Sequence, residues 1–204
     1  MLRSDNQFTE LEAEVLDLIL VIHAEHGGGN NSTFTSHVVS STRTDTYSSI
    51  SASIGALKGP MHGGANSMVT KMVEDIKKNT NPYDEVKLKE YLKKIFNKET
   101  FDKKGRIYGM GHAVYTISDP RAVLLKKKAY ELAKEKNALE EFELFSNIEK
   151  LTKEIGKETK GKNFEICANV DLYSGFVYKL LNIPQNIFTP LFALARIASW
   201  NAHR

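Results

Sequence analysis

A single cysteine, Cys167, is all that 204 residues contain. That excludes an intramolecular disulfide framework and fits a reducing, cytoplasmic location. No uninterrupted apolar run is long enough to cross a bilayer, so no membrane partner is expected. The opening Met1-Leu2-Arg3-Ser4 is too polar for the hydrophobic region of a signal peptide. Net charge is also scarce: 28 Lys and Arg against 25 Asp and Glu leave +3. The lysines are spread along helical patterns rather than packed into one arm, so nucleic acid is not an expected partner. Acidic small molecules stay open, because a few buried arginines bind them whatever the total charge. His23 and His26 stand three residues apart, but no further Cys or His joins them at ligand spacing. Their His-x-x-His lacks the fifth position of a zincin motif, and no metal is expected. Gly109-x-Gly111 has no third glycine within a strand–turn–helix unit, so it is not a dinucleotide fingerprint. The serine-rich stretch 48–53 lacks a nucleophile elbow.

What is present reads as helix. A hydrophobic fraction of 41% and a charged fraction of 26% describe an ordinary globular chain, long enough for one large or two small domains around a sizeable core. Thr9-x-x-Glu12 is a capping box. It opens a helix whose stripe of Leu11, Val15, Leu18, Ile19 and Ile22 ends near His23 to His26, where Gly27-Gly28-Gly29-Asn30-Asn31 stops it. A Ser/Thr-rich helix is expected over 32–41. Tyr47, Ile50, Ile54 and Leu57 form the apolar face of the next, with Ser and Ala on its other side suited to close helix contact. Met68, Val69, Met72, Val73 and Ile76 mark another helix, and Leu88, Leu92, Ile95 and Phe96 a lysine-rich one. After a glycine-punctuated loop from 105 to 115, Asp119-Pro120 sets a helix start, Asp as N-cap and Pro at the first position. That helix runs through Leu124, Ala129 and Leu132, and another carries Leu144, Ile148, Leu151 and Ile155. Phe164 to Asp171 leads into a short helix through Leu181. Thr189-Pro190 is expected to cap a last one, still amphipathic at Arg204. No strand-plus-turn series and no internal repeat appears, so the fold class is all-α. The middle is charged and lysine-rich while the flanks carry the apolar helices, which places boundaries at 1–63, 64–180 and 181–204.

Three segments hold an ionisable side chain among small residues: His62, His112 and Asp171. His62 sits in Gly59-Pro60-Met61-His62-Gly63-Gly64-Ala65-Asn66, a bend at or just ahead of a helix N-terminus. Free N–H groups and the positive dipole end favour a neutral imidazole there. Such a ring can donate to a carbonyl and steady an enolate. Each segment alone also fits a plain structural role: a histidine at a turn tip, a loop histidine, and an Asn-x-Asp N-cap. Spacings of 50 and 59 residues mean that only the fold can unite them.

The segments His-Ala-Glu-His-Gly-Gly-Gly-Asn-Asn-Ser-Thr, Gly-Pro-Met-His-Gly-Gly-Ala-Asn, Gly-Met-Gly-His-Ala-Val-Tyr with Asp-Pro-Arg, and Asn-Val-Asp-x-x-Ser-Gly closely resemble citrate synthase. They come in the family's order and span essentially the whole chain. The resemblance implies that Asp171 takes the methyl proton of acetyl-CoA while neutral His62 donates to the thioester oxygen. It gives His112 the oxaloacetate ketone, His26, Arg121 and Arg196 its carboxylates, and the loop Gly109, Met110, Gly111, Ala113 and Val114 a share of the coenzyme A contacts. The physics agrees, because a poor carbon acid needs its enolate stabilised as it forms, and arginine forks suit a dicarboxylate. Arg196, among Leu194, Ala195 and Ile197, would be costly to bury unless an anion awaited it.

Acetyl-CoA is a substrate in this reading, so no cofactor is expected. A homo-oligomer, dimer or hexamer, is implied as well. Residues 1–63 and 181–204 would be parts of a large helical domain, and 64–180 the small domain. Family members are about twice as long, Arg204 lies inside a helical pattern, and Met1 then reads as an internal methionine. The chain alone is therefore expected to be nearly inactive, with the Leu11 to Ile22 stripe seeking cover. Thr116 stands where some members carry a basic residue toward coenzyme A phosphates. Two other readings remain: 2-methylcitrate synthase, using propionyl-CoA, and a non-catalytic helical binding module.

Overall fold

The computed structural model describes residues 7–59 and 62–204. The polar opening segment and the Pro60-Met61 pair of the histidine bend lie outside the described residues. The helices in chain order are α1 (Glu10–Ala24), α2 (Asn31–Ser40), α3 (Thr46–Lys58), α4 (Ala65–Asn79), α5 (Glu85–Phe96), α6 (Pro120–Glu135), α7 (Leu139–Lys160), α8 (Val170–Leu180) and α9 (Phe188–Ala202). A 3₁₀ turn, Gln185–Ile187, precedes the last. Among the described residues one isolated bridge, Met110 to Ala168, stands in place of any strand, and no helix is long and apolar enough to cross a membrane. The helices form two compact units: residues up to Ala65 together with Ile183–Arg204, and Asn66–Asn182.

In the first unit α1 starts on its capping box. The Thr9 hydroxyl accepts from the Glu12 N–H at 3.2 Å, and Glu12 Oε2 accepts from the Thr9 N–H at 2.9 Å. Val15 and Ile19 are fully buried and Ile22 nearly so, with α9 packed against α1. Three of the five stripe residues are thus covered within this unit, while Leu11 and Leu18 stay half-buried. The contact between α2 and α3 departs from the pattern that periodicity predicts. Tyr47 is 86% exposed and Ile54 42%, whereas Ser49 and Ser53 are fully buried. The two helices meet through hydroxyls: Ser36 and Ser49 bond each other at 3.1 Å and the Ser49 hydroxyl reaches the Ser36 carbonyl at 3.3 Å, while Ser53 donates within α3 to the Ser49 carbonyl at 3.2 Å. Small side chains let the backbones approach, and each hydroxyl finds an oxygen, so burying them costs little. The expected face of Tyr47 and Ile54 points to solvent instead.

Two expectations about α9 also need correction. Thr189 is not its cap: the helix begins at Phe188 without a side-chain cap, and the Thr189 hydroxyl donates to the Gly63 carbonyl at 3.1 Å. The helix ends at Ala202 with His203 as C-cap, so Arg204 stands outside it.

The second unit is built on aliphatic side chains. Asp84 caps α5 by accepting from the N–H groups of Val86 and Lys87. Leu88, Leu92 and Ile95 then fall on one face of α5 and are completely buried, α5 packing on α7, as are Leu125 and Leu132 of α6 and Ile148 and Leu151 of α7. Each such side chain contributes roughly 1.5–3 kcal/mol by leaving water. The exception is Glu149 of α7, whose carboxylate takes Lys126 at 2.8 Å, Lys153 at 2.7 Å and the Tyr173 hydroxyl at 2.7 Å. Burial works to raise its pKa, but those three donors hold it down to about 2.

Candidate functional site

The candidate residues fall into two sets, one in each unit. In the first unit His62 sits three residues before α4, in a turn where its N–H donates to the Gly59 carbonyl at 3.0 Å. Its Nε2 lies 3.0 Å from the Ser32 hydroxyl. Burial, and then the charge of Arg196, pushes the ring's pKa below the ordinary histidine value. A neutral imidazole is the expected state, but burial and an arginine are the causes rather than the helix end alone.

Arg196 is completely buried on α9. Its Nε donates to the His23 carbonyl at 2.6 Å and its Nη1 to Asn30 Oδ1 at 3.2 Å, and the guanidinium lies 4.8 Å from the Phe192 ring centroid. Both oxygens are neutral, so the buried cation is solvated by dipoles at these points and keeps its attraction for an anion. His26 lies beyond the end of α1, where the Glu25 carboxylate accepts from its backbone N–H at 2.7 Å. His23 is a packing residue: it is buried, its Nδ1 bonds the Ile19 carbonyl at 2.8 Å, and Phe192 meets its ring edge-on at 4.7 Å. Among the described residues no group of three His, Cys, Asp or Glu side chains could hold a metal ion.

In the second unit the loop carrying His112 is stitched to the segment ahead of α8. The Gly111 N–H donates to the Cys167 carbonyl at 2.7 Å, the Asn169 N–H to Gly109 at 2.9 Å, and Asn169 Nδ2 to Gly111 at 2.8 Å. This pairing requires glycine at 109: φ is +82°, and a Cβ there would stand 2.7 Å from the Leu172 Cα. Asn169 is also the N-cap of α8, accepting from the Asp171 N–H at 3.0 Å, so one side chain joins the His112 loop to the helix turn that holds Asp171. Asp171 is half-buried, and its charge helps raise the pKa of Tyr178 after burial has done so. Met110 forms the bridge to Ala168, while Ala113 and Val114 are exposed.

The protonation of His112 follows from its neighbours. The N–H groups of Val114 and Tyr115 both donate to Nδ1, at 3.0 and 3.1 Å, so Nδ1 holds a lone pair and the neutral ring carries its proton on Nε2. Arg121 Nη2, a donor only, lies 3.4 Å from that Nε2. Two donors side by side make a place for an oxygen to accept from both. Burial, then Arg121, lowers the His112 pKa against the opposing Asp119. Arg121 is held by a two-pronged pair to Asp119, Nε to Oδ1 at 3.0 Å and Nη2 to Oδ2 at 2.8 Å. The same carboxylate caps α6 by accepting from the Arg121 N–H at 3.0 Å.

Sequence reasoning reads Asp119 as a cap and misses its grip on Arg121. The local signal was the spacing Asp-Pro-Arg, which sets a carboxylate and a guanidinium two residues apart. It also misses Ser32, Asn30 and Trp200 around His62. Ser32 is one hydroxyl in a run of them, and no local pattern links it to a histidine thirty residues on.

The comparisons agree with the sequence motifs. All of residues 1–204 match the family model described as citrate synthase, C-terminal domain. The chain is 43% identical over 194 residues to the citrate synthase of Synechocystis sp., covering 94% of this chain and 44% of that protein. It is 38% identical over 184 residues to 2-methylcitrate synthase 1 of Corynebacterium glutamicum, covering 90% and 43%. A solved structure, the ternary complex of carboxymethyl coenzyme A and oxaloacetate with citrate synthase from Thermoplasma acidophilum, aligns with a TM-score of 0.73 at 33% identity, covering 98% of this chain and 49% of that one. The chain spans less than half the length of the curated relatives it matches here. With a whole-length family match and relatives above 40% identity, the chain belongs to the citrate synthase family.

Proposed function

We propose that the protein condenses acetyl-CoA with oxaloacetate, through an enolate and then thioester hydrolysis, to give citrate and coenzyme A. The observation that carries this reading is the pair of donors in the second unit, His112 Nε2–H beside Arg121 Nη2 at 3.4 Å. A ketone and the carboxylate next to it accept from such a pair, and His112 then protonates the new alkoxide. Arg196 and His26 take the remaining carboxylate contacts. Asp171 is the base for the methyl proton, and His62 donates to the thioester oxygen as the enolate forms. Backbone of the loop from Gly109 to Val114 supplies coenzyme A contacts. In the solved relative the same two ligand classes, a coenzyme A derivative and oxaloacetate, are bound together. Residues 64–180 act as the small domain and the flanks as parts of the large one. Self-association as a dimer or hexamer is supported by the apolar side chains Phe34, Val38, Tyr47 and Ile54 that α2 and α3 leave exposed.

The test is oxaloacetate binding by calorimetry, together with coenzyme A release in the full-length protein. Arg121→Lys is expected to weaken oxaloacetate about tenfold while leaving acetyl-CoA binding unchanged, because lysine has no fork for the substrate or for Asp119. Equal oxaloacetate affinity in wild type and variant overturns the assignment, and binding without turnover favours the non-catalytic module. A second reading, 2-methylcitrate synthesis from propionyl-CoA, is favoured by the 38% identity to a 2-methylcitrate synthase. Relative kcat/KM with the two acyl-CoAs decides between them.

A further inference from the structure

The buried Ser32 hydroxyl is where three groups of the first unit meet. Trp200 Nε1 is 3.2 Å away, Asn30 Oδ1 2.9 Å and His62 Nε2 3.0 Å. A hydroxyl has one proton to give and two lone pairs to fill. Trp200 can only donate, so it takes one lone pair. Arg196 settles the rest. Its Nη1, also only a donor, lies 3.2 Å from the same Asn30 Oδ1. Turning the amide would set two donors face to face, so the oxygen stays where it is. Ser32 must then donate to that oxygen, because two oxygens at 2.9 Å repel unless a proton lies between them. One lone pair of Ser32 is left for His62, and Nε2 has to carry the proton that fills it. In a neutral ring Nδ1 then holds the lone pair. That is the wrong tautomer for donating to a thioester oxygen, since Nε2 is already committed to Ser32.

We propose that Arg196 sets the tautomer of His62 through Asn30 and Ser32, so that a carboxylate bound at Arg196 arms the histidine. When a substrate carboxylate draws the guanidinium away from Asn30, the amide turns and donates its NH₂ to Ser32. The hydroxyl swings its proton to His62 Nε2. The ring releases its Nε2 proton to solvent and takes one from solvent at Nδ1, with no change in net charge. Ser32 gives one hydrogen bond and accepts two in both arrangements, so neither leaves this buried hydroxyl unsatisfied. Asn30 and Ser32 are positioning residues in this scheme. It rests on the donor role given to His62 above, but the tautomer of the unliganded protein tests the network by itself.

The experiment is long-range ¹H–¹⁵N correlation on the full chain with labelled histidine, the His62 signals being identified by their loss in His62→Gln. In the free protein Nε2 is expected in the protonated range and Nδ1 in the unprotonated range. Saturating oxaloacetate, with binding followed separately by calorimetry, is expected to exchange the two. Asn30→Asp has no NH₂ to offer and is expected to keep the Nε2–H form with oxaloacetate bound. A Nδ1–H ring in the free protein, or an unchanged ring in the saturated one, overturns the proposal. Should calorimetry show no oxaloacetate binding, the functional reading fails, and Arg196→Met then tests the network. Freed of that donor, Asn30 turns and the Nδ1–H population rises severalfold. A ring that stays wholly Nε2–H in Arg196→Met overturns the inference.

Discussion

The two units hold their candidate arginines by different means. In the second, charge answers charge: Arg121 is gripped by Asp119 on both prongs, and Glu149 by two lysines and a tyrosine. In the first, Arg196 donates to a carbonyl and an amide oxygen, and His62 Nε2 meets a serine hydroxyl. Ion pairs of the first kind fix a group in one position. Neutral amides and hydroxyls can reverse their hydrogen bonds without moving their heavy atoms far, so they hold a group while leaving its protonation free to change. Packing follows the same division, aliphatic in the second unit and hydroxyl-lined between α2 and α3 in the first.

Substitutions can break that contrast. The largest effect is expected from Asp171→Ala in the full-length protein. Exchange of the acetyl-CoA methyl protons should fall by about 10²–10⁴-fold, the usual contribution of a positioned base, while oxaloacetate affinity is unchanged. Wild-type exchange rates in the variant would remove Asp171 from its role. Next comes packing. Leu92→Ala should destabilise the second unit by about 2–5 kcal/mol, the range for a leucine whose cavity refills only partly. Ser49→Ala should cost only about 1 kcal/mol in the first, since it removes a hydrogen bond and little volume. Urea unfolding of the two variants measures both, and equal losses would erase the distinction.

The smallest expected effect is on pH dependence, and the two kinds of group act in different windows. His62 and His112 have folded pKa values below the ordinary 6.5 or so, chiefly through burial. The unfolded chain therefore binds protons first, and stability falls as pH drops below about 6.5. Glu149 is depressed to about 2 when folded. Its contribution is full above the unfolded carboxylate value and is lost as pH falls from about 4.3 toward 2. Acid titration of Glu149→Gln should shrink the loss in the lower window and leave the upper one unchanged, whereas His62→Gln should shrink only the upper one, the His112 share remaining.

Much of this was legible locally. The Thr9 and Glu12 box, the Asp119 cap with Pro120, and the faces of α4 and α5 depend on residues within four positions of one another, where side-chain chemistry and helical period act directly. The α2–α3 contact was misread for a physical reason. Periodicity finds the apolar face, but helices that touch through serines bury their small side and leave the apolar one outside. The candidate residues were recognisable as motifs, each weak alone. Their supports were not, because Ser32 with His62, or Asn30 with Arg196, join across 30 and 166 residues.

The lone cysteine gives the second unit a built-in clock. Cys167 is 2% exposed, donates its Sγ–H to the Tyr115 carbonyl at 3.2 Å, and is pushed above the ordinary thiol pKa mainly by burial. A thiol reagent can reach the buried sulfur only when the structure around it opens, so the rate of labelling reports how often that part of the unit opens. With only one thiol in the chain, the colour released by an aromatic disulfide reagent has a single source. A ligand seated against His112 and Arg121 should slow that colour.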